Sequence, residues 1–104
     1  MHEPAKVTLA KYGLTLAEWV AMYTSQKGLC AVCLKDPKRL VIDHKHQPGW
    51  KHMAPKERKL YVRGLCCDSC NHYVLTRYAD AAKHRQAAAY LDKFERRLKR
   101  ANSH

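Results

Sequence analysis

Four cysteines stand in two pairs, Cys30-Ala-Val-Cys33 and Cys67-Asp-Ser-Cys70. Two thiolates at this spacing, on one tight turn, can occupy neighbouring corners of a tetrahedron, and two such turns close a four-sulfur site. Zinc suits that site because it accepts four sulfurs and has no redox chemistry. A closed site leaves no position for water or substrate, so the ion would be structural, one per chain. Free buried thiols or a thioredoxin-like redox pair are the alternatives, but redox use needs a single pair in a βαβ setting, which the sequence does not show. The fifth cysteine, Cys66, is odd by parity and reads as a small buried apolar residue.

Between the two pairs lies Asp43-His44-Lys45-His46, and Asn71 follows directly on Cys70. Closing the sulfur site draws the segments near residues 30 and 70 together, and a hairpin would return Asp43 to the same end. Asp43, His44 and Asn71 are therefore expected to converge. A carboxylate and a carboxamide oxygen are hard ligands suited to Mg²⁺ or Mn²⁺, with a phosphate and waters completing the octahedron. A histidine with an ordinary pKa of about 6.5 can stay neutral and take a proton from water, which makes His44 the candidate general base. Those are the parts that phosphodiester hydrolysis requires. Singly, each has a blander explanation: Asp-His after a strand is common turn chemistry, and an Asn before a helix is commonly a cap. Together they point to a hydrolytic site. A perfectly extended strand would send Asp43 and His44 to opposite faces, so a bend or bulge is required between them.

Charge points the same way. Lys and Arg number 20 against 9 acidic residues, a formal charge of +11, which calls for a polyanionic partner. Nucleic acid is the first candidate and a membrane surface the rival. The sequence shows no spanning apolar run and no basic-then-apolar leader, so the expectation is a cytoplasmic protein that is neither secreted nor membrane-bound. An odd cysteine count in that compartment does not read as a disulfide framework. One basic set, Lys45, Lys51, Lys56, Arg58, Lys59 and Arg63, falls within residues 45–63 against one Glu, and is expected to grip DNA phosphates beside the cut. Trp50 could pack on sugar or base, or anchor its loop on the protein. A second basic set in residues 81–104 is a solvated face, a phosphate-binding rail or a dimer contact. No polar row for base edges separates itself from these residues, so weak sequence preference is expected.

The elements that must position these groups form one α+β domain, small and mostly helical. At 104 residues its core needs an extra brace. It divides into an N-terminal arm and helix (1–28), a zinc-braced core (29–79) and a basic C-terminal helix (80–104). Residues 1–13 lack a periodic pattern and are expected to carry no function. Thr15 and Glu18 have capping-box spacing, Leu16, Trp19, Val20 and Tyr23 form a stripe, and Gly28 is a stop, predicting a helix over about residues 16–27. Two antiparallel strands are expected at residues 39–43 and 60–64, with 47–59 as an outward loop. Val74, Leu75 and Tyr78 can share a helical face after Cys70. Asp80 can cap a last helix with Ala87, Leu91, Phe94 and Leu98 as its buried stripe, and Asp92/Arg96 and Glu95/Lys99 as exposed pairs.

From Tyr12 to Leu91 the chain resembles the recombination endonuclease VII family, within the His-Asn-His or ββα-metal (His-Me finger) nucleases. The matching motifs are Tyr12-Gly13-Leu14-Thr15, Leu29-Cys30-Ala31-Val32-Cys33, Ile42-Asp43-His44-Lys45-His46, Val62-Arg63-Gly64-Leu65 and Cys67-Asp68-Ser69-Cys70-Asn71. The resemblance implies a hairpin and helix around a catalytic cation, four cysteines on zinc, flanking helices, and hydrolytic cleavage of DNA. It assigns the cation to Asp43 and Asn71, water activation to His44, and orientation or polarisation of the scissile phosphate to His46, which is otherwise an exposed histidine on a basic surface. Lys45 stands where the family commonly has an acidic residue, residues 47–61 form a longer interval than usual, and no sizeable C-terminal extension of a junction-resolving kind is seen. Substrate structure is thus open between linear, nicked and branched DNA, and resolving a two-fold junction would call for a homodimer. The family also suggests a phage source and action in the bacterial cytoplasm. The competing classes are a non-catalytic zinc-containing nucleic-acid-binding module and a zinc-stapled protein-interaction domain, the latter leaving the charge unexplained.

Overall fold

The computed structural model describes residues 1–76 and 79–102. The N-terminal arm is more ordered than its sequence suggests: Lys6–Lys11 forms helix α1, and Leu9 is buried in the core. Six residues are too short for a periodic stripe to register, and one buried leucine anchors them. The chain then reverses at Gly13, whose φ of +67° lies in the left-handed region. A Cβ there would run into the Pro55 carbonyl, so glycine is what lets this turn lie against the later loop.

Helix α2 spans Leu16–Ser25 and begins with the expected capping box. The Thr15 hydroxyl accepts from the Glu18 N–H at 3.1 Å, and the Glu18 carboxylate accepts from the Thr15 N–H at 3.0 Å. Its inner face carries Trp19, only 1% exposed, with Tyr23 stacked on it at 5.3 Å. Past its end, Gln26 stitches α2 to the strand that follows the loop. Its side-chain N–H₂ donates to the carbonyls of Leu29 and Leu65, each at 2.8 Å, and its oxygen accepts from the Leu65 N–H at 3.0 Å.

Strands β1 (Val41–His44) and β2 (Val62–Cys66) form a two-stranded antiparallel sheet. Both start two residues later than expected, β2 because α3 (Pro55–Arg58) runs on into a 3₁₀ turn at Lys59–Tyr61 and so claims Leu60 and Tyr61. A further 3₁₀ turn occupies Trp50–His52, so the interval expected to be an irregular loop is mostly short helical turns. The register pairs Ile42 with Leu65 and Asp43 with Gly64, then slips so that His44 faces Val62. Arg63 is the extra residue. The irregularity falls opposite the Asp43-His44 step, but the extra residue belongs to β2 and not to the strand that carries the pair, and it increases the local twist there.

The core lies between α2, α1 and the sheet. Leu9, Leu14, Trp19, Leu40, Ile42 and Leu65 pack with Cys30, Cys66 and Cys70, so the cysteine pairs are continuous with the apolar centre. After β2 the chain enters a five-residue π-helical turn, Cys70–Val74, which carries Asn71. Leu75 packs on the core while Val74 is exposed, so they do not share a face; Tyr78 lies outside the described residues.

Helix α4 spans Ala81–Ala101 and is capped as expected, the Asp80 carboxylate accepting from the Lys83 N–H at 3.1 Å. Its expected buried stripe is a correction. Leu91, Phe94 and Leu98 are 59%, 48% and 45% exposed, and Ala87 is exposed with them. Periodicity reports that a helix is amphipathic and says nothing about whether a partner covers it. Nor do Asp92/Arg96 and Glu95/Lys99 close into ion pairs among the described residues. No helix there is long and apolar enough to cross a membrane.

Candidate functional site

The sulfur atoms of Cys30, Cys33, Cys67 and Cys70 all lie within 4.8 Å of one another. A zinc–sulfur bond of about 2.3 Å gives a tetrahedron whose edge is about 3.8 Å. The Cys33–Cys67 separation of 4.0 Å meets that edge. Two backbone N–H groups aim at the sulfurs, Val32 at Cys30 (3.4 Å) and Cys70 at Cys67 (3.3 Å). Such bonds favour thiolates. Burial pushes the Cys30 thiol up, but hydrogen bonds, those from backbone N–H groups foremost, outweigh it and bring Cys30 down to about 6. Cys70 is pushed up to about 12, first by its hydrogen bond with Cys67 and then by burial. The shifts run in opposite directions within one cluster of interacting thiols, and a bound ion would expel the remaining protons. The four cysteines are positioned to bind a metal ion, and the set is consistent with zinc. Cys66 stays outside the cluster, buried, its thiol pushed up to about 12 by burial and then by the Asp43 carboxylate.

One bulge away stands the Asp43 carboxylate, 3% exposed. Arg63 grips it with two bonds, Nε to Oδ2 at 2.7 Å and Nη2 to Oδ1 at 3.1 Å, and reaches the His44 carbonyl with Nη2 at 3.3 Å. The guanidinium thus sits in a cradle of three oxygens that already holds positive charge. A hard divalent cation prefers that donor type, so the residues present fit such an ion in chemistry and sign.

His44 is held by aromatic rings. Its imidazole stacks on Trp50 with centroids 4.1 Å apart and planes 12° from parallel, and the Tyr12 ring lies 5.5 Å away. Burial, and secondarily the nearby His46, hold the His44 pKa below the ordinary imidazole value. The Tyr12 hydroxyl is shifted up, by burial and then by Asp43. Arg58 secures the arrangement from beneath: it donates to the carbonyls of Trp50 (3.2 Å), Lys11 (3.2 Å) and Lys51 (3.3 Å) and lies over the Trp50 ring. Trp50 is therefore anchored on the protein in this structure.

His46 sits with its ring 4.8 Å from His44 and lines an open cleft of about 530 Å³ together with Trp50, Lys51 and His52. Asn71 faces a separate cavity of about 500 Å³, which it shares with Tyr12, Ile42 and Asp68. Asp43 and His44 do not line it. Tyr12 is the connection, with its ring in contact with His44 and its edge in the cavity of Asn71. Of the six basic residues, Arg58 and Arg63 are engaged as described, and Lys59 pairs with Glu18. Lys45, Lys51 and Lys56 are exposed without an ion pair among the described residues.

Sequence reasoning missed Tyr12 as a neighbour of the site and Arg58 as its support. Tyr12 stood in a segment thought to carry no function, although it opens the Tyr12-Gly13-Leu14-Thr15 motif that resembles the family. Arg58 looked like any other cation in a basic run.

A two-stranded hairpin that carries an Asp-His pair opposite a bulge, beside four convergent cysteines, defines a small mixed helix-and-strand domain with a candidate metal site. The recombination endonuclease VII family matches residues 5–93, and the chain belongs to that family. Among its relatives, the Gene 59 protein of Mycobacterium phage D29 is 40% identical over 70 residues, and that of Mycobacterium phage L5 is 39% identical over 70 residues. Each match covers 64% of this chain but 36% of the relative, so the shared stretch spans about a third of those longer proteins. No solved structure matches the chain.

Proposed function

We propose that this chain is a divalent-metal-dependent DNA endonuclease built on a ββα-metal arrangement, with His44 as general base, Asp43 and Asn71 holding the catalytic cation, and His46 polarising the scissile phosphate. The observation that carries the reading is that the buried Asp43 carboxylate, paired with the Arg63 guanidinium, is followed directly by a half-buried imidazole whose pKa burial lowers. Family membership supplies the nuclease class. A divalent ion, when bound, supplies neutralisation of the charge that builds on the phosphate.

His44 works on the attacking water, taking its proton as the oxygen closes on phosphorus, and the bond to the leaving oxygen breaks. Trp50 and Tyr12 fix the plane of the imidazole so that little orientation is lost on reaching the transition state. Lys45, Lys51 and Lys56 hold flanking phosphates. The zinc brace ties Asn71, next to Cys70, to the hairpin.

The test is cleavage of supercoiled plasmid by purified protein with Mg²⁺, repeated with excess chelator and with His44→Ala. Nicking or linearisation that both changes abolish is the expected result. The Arg63–Asp43 pair is also what a purely structural ion pair would look like, and this favours a second reading, a non-catalytic zinc-containing DNA-binding module. Intact plasmid under every condition, with salt-sensitive DNA binding, would establish that module instead.

A further inference from the structure

Arg63 has an unusual combination of properties. As the extra residue of the bulge it has no cross-strand partner whose pairing would fix its side chain, and its side chain is 36% exposed. Yet its guanidinium supplies every side-chain hydrogen bond found for the Asp43 carboxylate, with Nη2 also on the His44 carbonyl. A carboxylate this buried needs a positive partner, and an arginine tethered at the rim can supply one and can also leave. Two cations cannot occupy the same two oxygens at close range without strong repulsion.

We infer that Arg63 is a resident counter-cation that competes with the catalytic ion for Asp43, so that metal binding displaces its guanidinium outward, where it meets phosphate. This rests on the proposed cation site at Asp43. Arg63 is thereby a positioning residue that sets the affinity for the ion. It keeps the carboxylate neutralised when no ion is present, and becomes a phosphate ligand once one arrives. A planar guanidinium suits both partners, since carboxylate and phosphate present similar pairs of oxygens. DNA and metal should then bind cooperatively, because the phosphate stabilises the displaced arginine and so lowers the cost of admitting the ion.

The test measures Mn²⁺ binding to the zinc-loaded protein by calorimetry, without DNA, for the unaltered chain, Arg63→Gln and Asp43→Asn. Arg63→Gln should bind Mn²⁺ on the order of tenfold more tightly, since the ion no longer displaces a charged hydrogen-bonded group, and Asp43→Asn should lose the site. Unchanged or weaker binding by folded Arg63→Gln, with an Asp43-dependent site in the unaltered chain, would overturn the competition and leave the cation site standing. Absence of an Asp43-dependent site would overturn both. Should Arg63→Gln not fold, the unaltered protein decides the matter: Mg²⁺ titration followed by nitrogen NMR should strip the Arg63 Nε–H of its protection from exchange with water, and persistence of that protection at saturating ion refutes displacement.

Discussion

The His44 imidazole lies against the Trp50 indole with planes 12° from parallel and centroids 4.1 Å apart, and so shares a hydrophobic wall with Tyr12. That wall lowers the pKa of the imidazole. Burial disfavours the charged imidazolium, so His44 keeps a free lone pair at pH values where an ordinary histidine begins to lose it.

Its consequence for rate is direct. With His44 in its proposed role as general base, kcat/KM should fall as the pH drops through a pKa below about 6.5. Trp50→Ala admits water to the imidazole and should move that acid limb up toward the ordinary value, with a loss of roughly tenfold or more in kcat from lost orientation. An acid limb that stays in place when Trp50 is removed would show that the indole does not tune the base.

Stability follows the same proton. The folded pKa of His44 is depressed, so unfolded chains take up the proton first as the pH falls. The contribution is fully present above about pH 6.5 and is lost as the pH falls from there through the lower folded value. Replacing His44 with Gln should flatten this part of the Tm-against-pH curve, as followed by circular dichroism.

The cysteines separate by role. Cys30→Ser should abolish stoichiometric zinc and cooperative folding, because binding energy of roughly 10 kcal/mol is folding energy in domains this small. Cys66→Ala should retain one zinc per chain by elemental analysis and lose about 1 kcal/mol of stability, as expected for a small buried side chain. Loss of zinc in Cys66→Ala would show that the fifth cysteine is a ligand.

The basic residues also sort into two groups. Removing Lys51 or Lys56 should reduce the slope of log K against log salt by about 0.9 per phosphate contact with little change in Tm. Arg58→Met should lower Tm, by about 2–3 kcal/mol in stability, since three carbonyls and the Trp50 face lose their partner. The two measurements are fluorescence anisotropy at several salt concentrations and thermal melting.

Gln26 gives a further check on the frame. Its three hydrogen bonds join the end of α2 to Leu29 and Leu65, and Gln26→Ala leaves the buried Leu65 N–H without that acceptor, at a cost of about 2 kcal/mol measured in urea.

What could be read before folding was local chemistry. Thr15 and Glu18 announce their helix because a capping box lies within four residues, and Asp80 does the same for α4. The cysteine pairs announce a four-sulfur cluster by spacing alone, whereas the irregularity expected within the Asp43-His44 strand falls on its partner, at Arg63. What stayed hidden depends on who packs against whom. Tyr12 reaches His44 only because Gly13 turns the chain, Arg58 and Arg63 spend their charges inward although their neighbours do not, and the apolar stripe of α4 looks the same whether covered or bare. Strand limits shifted for a related reason: Leu60 and Tyr61 have strand-like side chains but were claimed by a preceding helical turn.

The two cysteine pairs bracket the whole hairpin, with Cys67 and Cys70 arriving 37 residues after their counterparts Cys30 and Cys33. During synthesis the first pair leaves the ribosome with nothing to close against, and the carboxylate and imidazole emerge while the clamp is still half made. A metal ion that needs all four sulfurs could be taken up only after Cys70 has emerged. A chain cut short before Cys70 would carry Asp43 and His44 without the fourth sulfur of the cluster that holds their hairpin against the preceding turn.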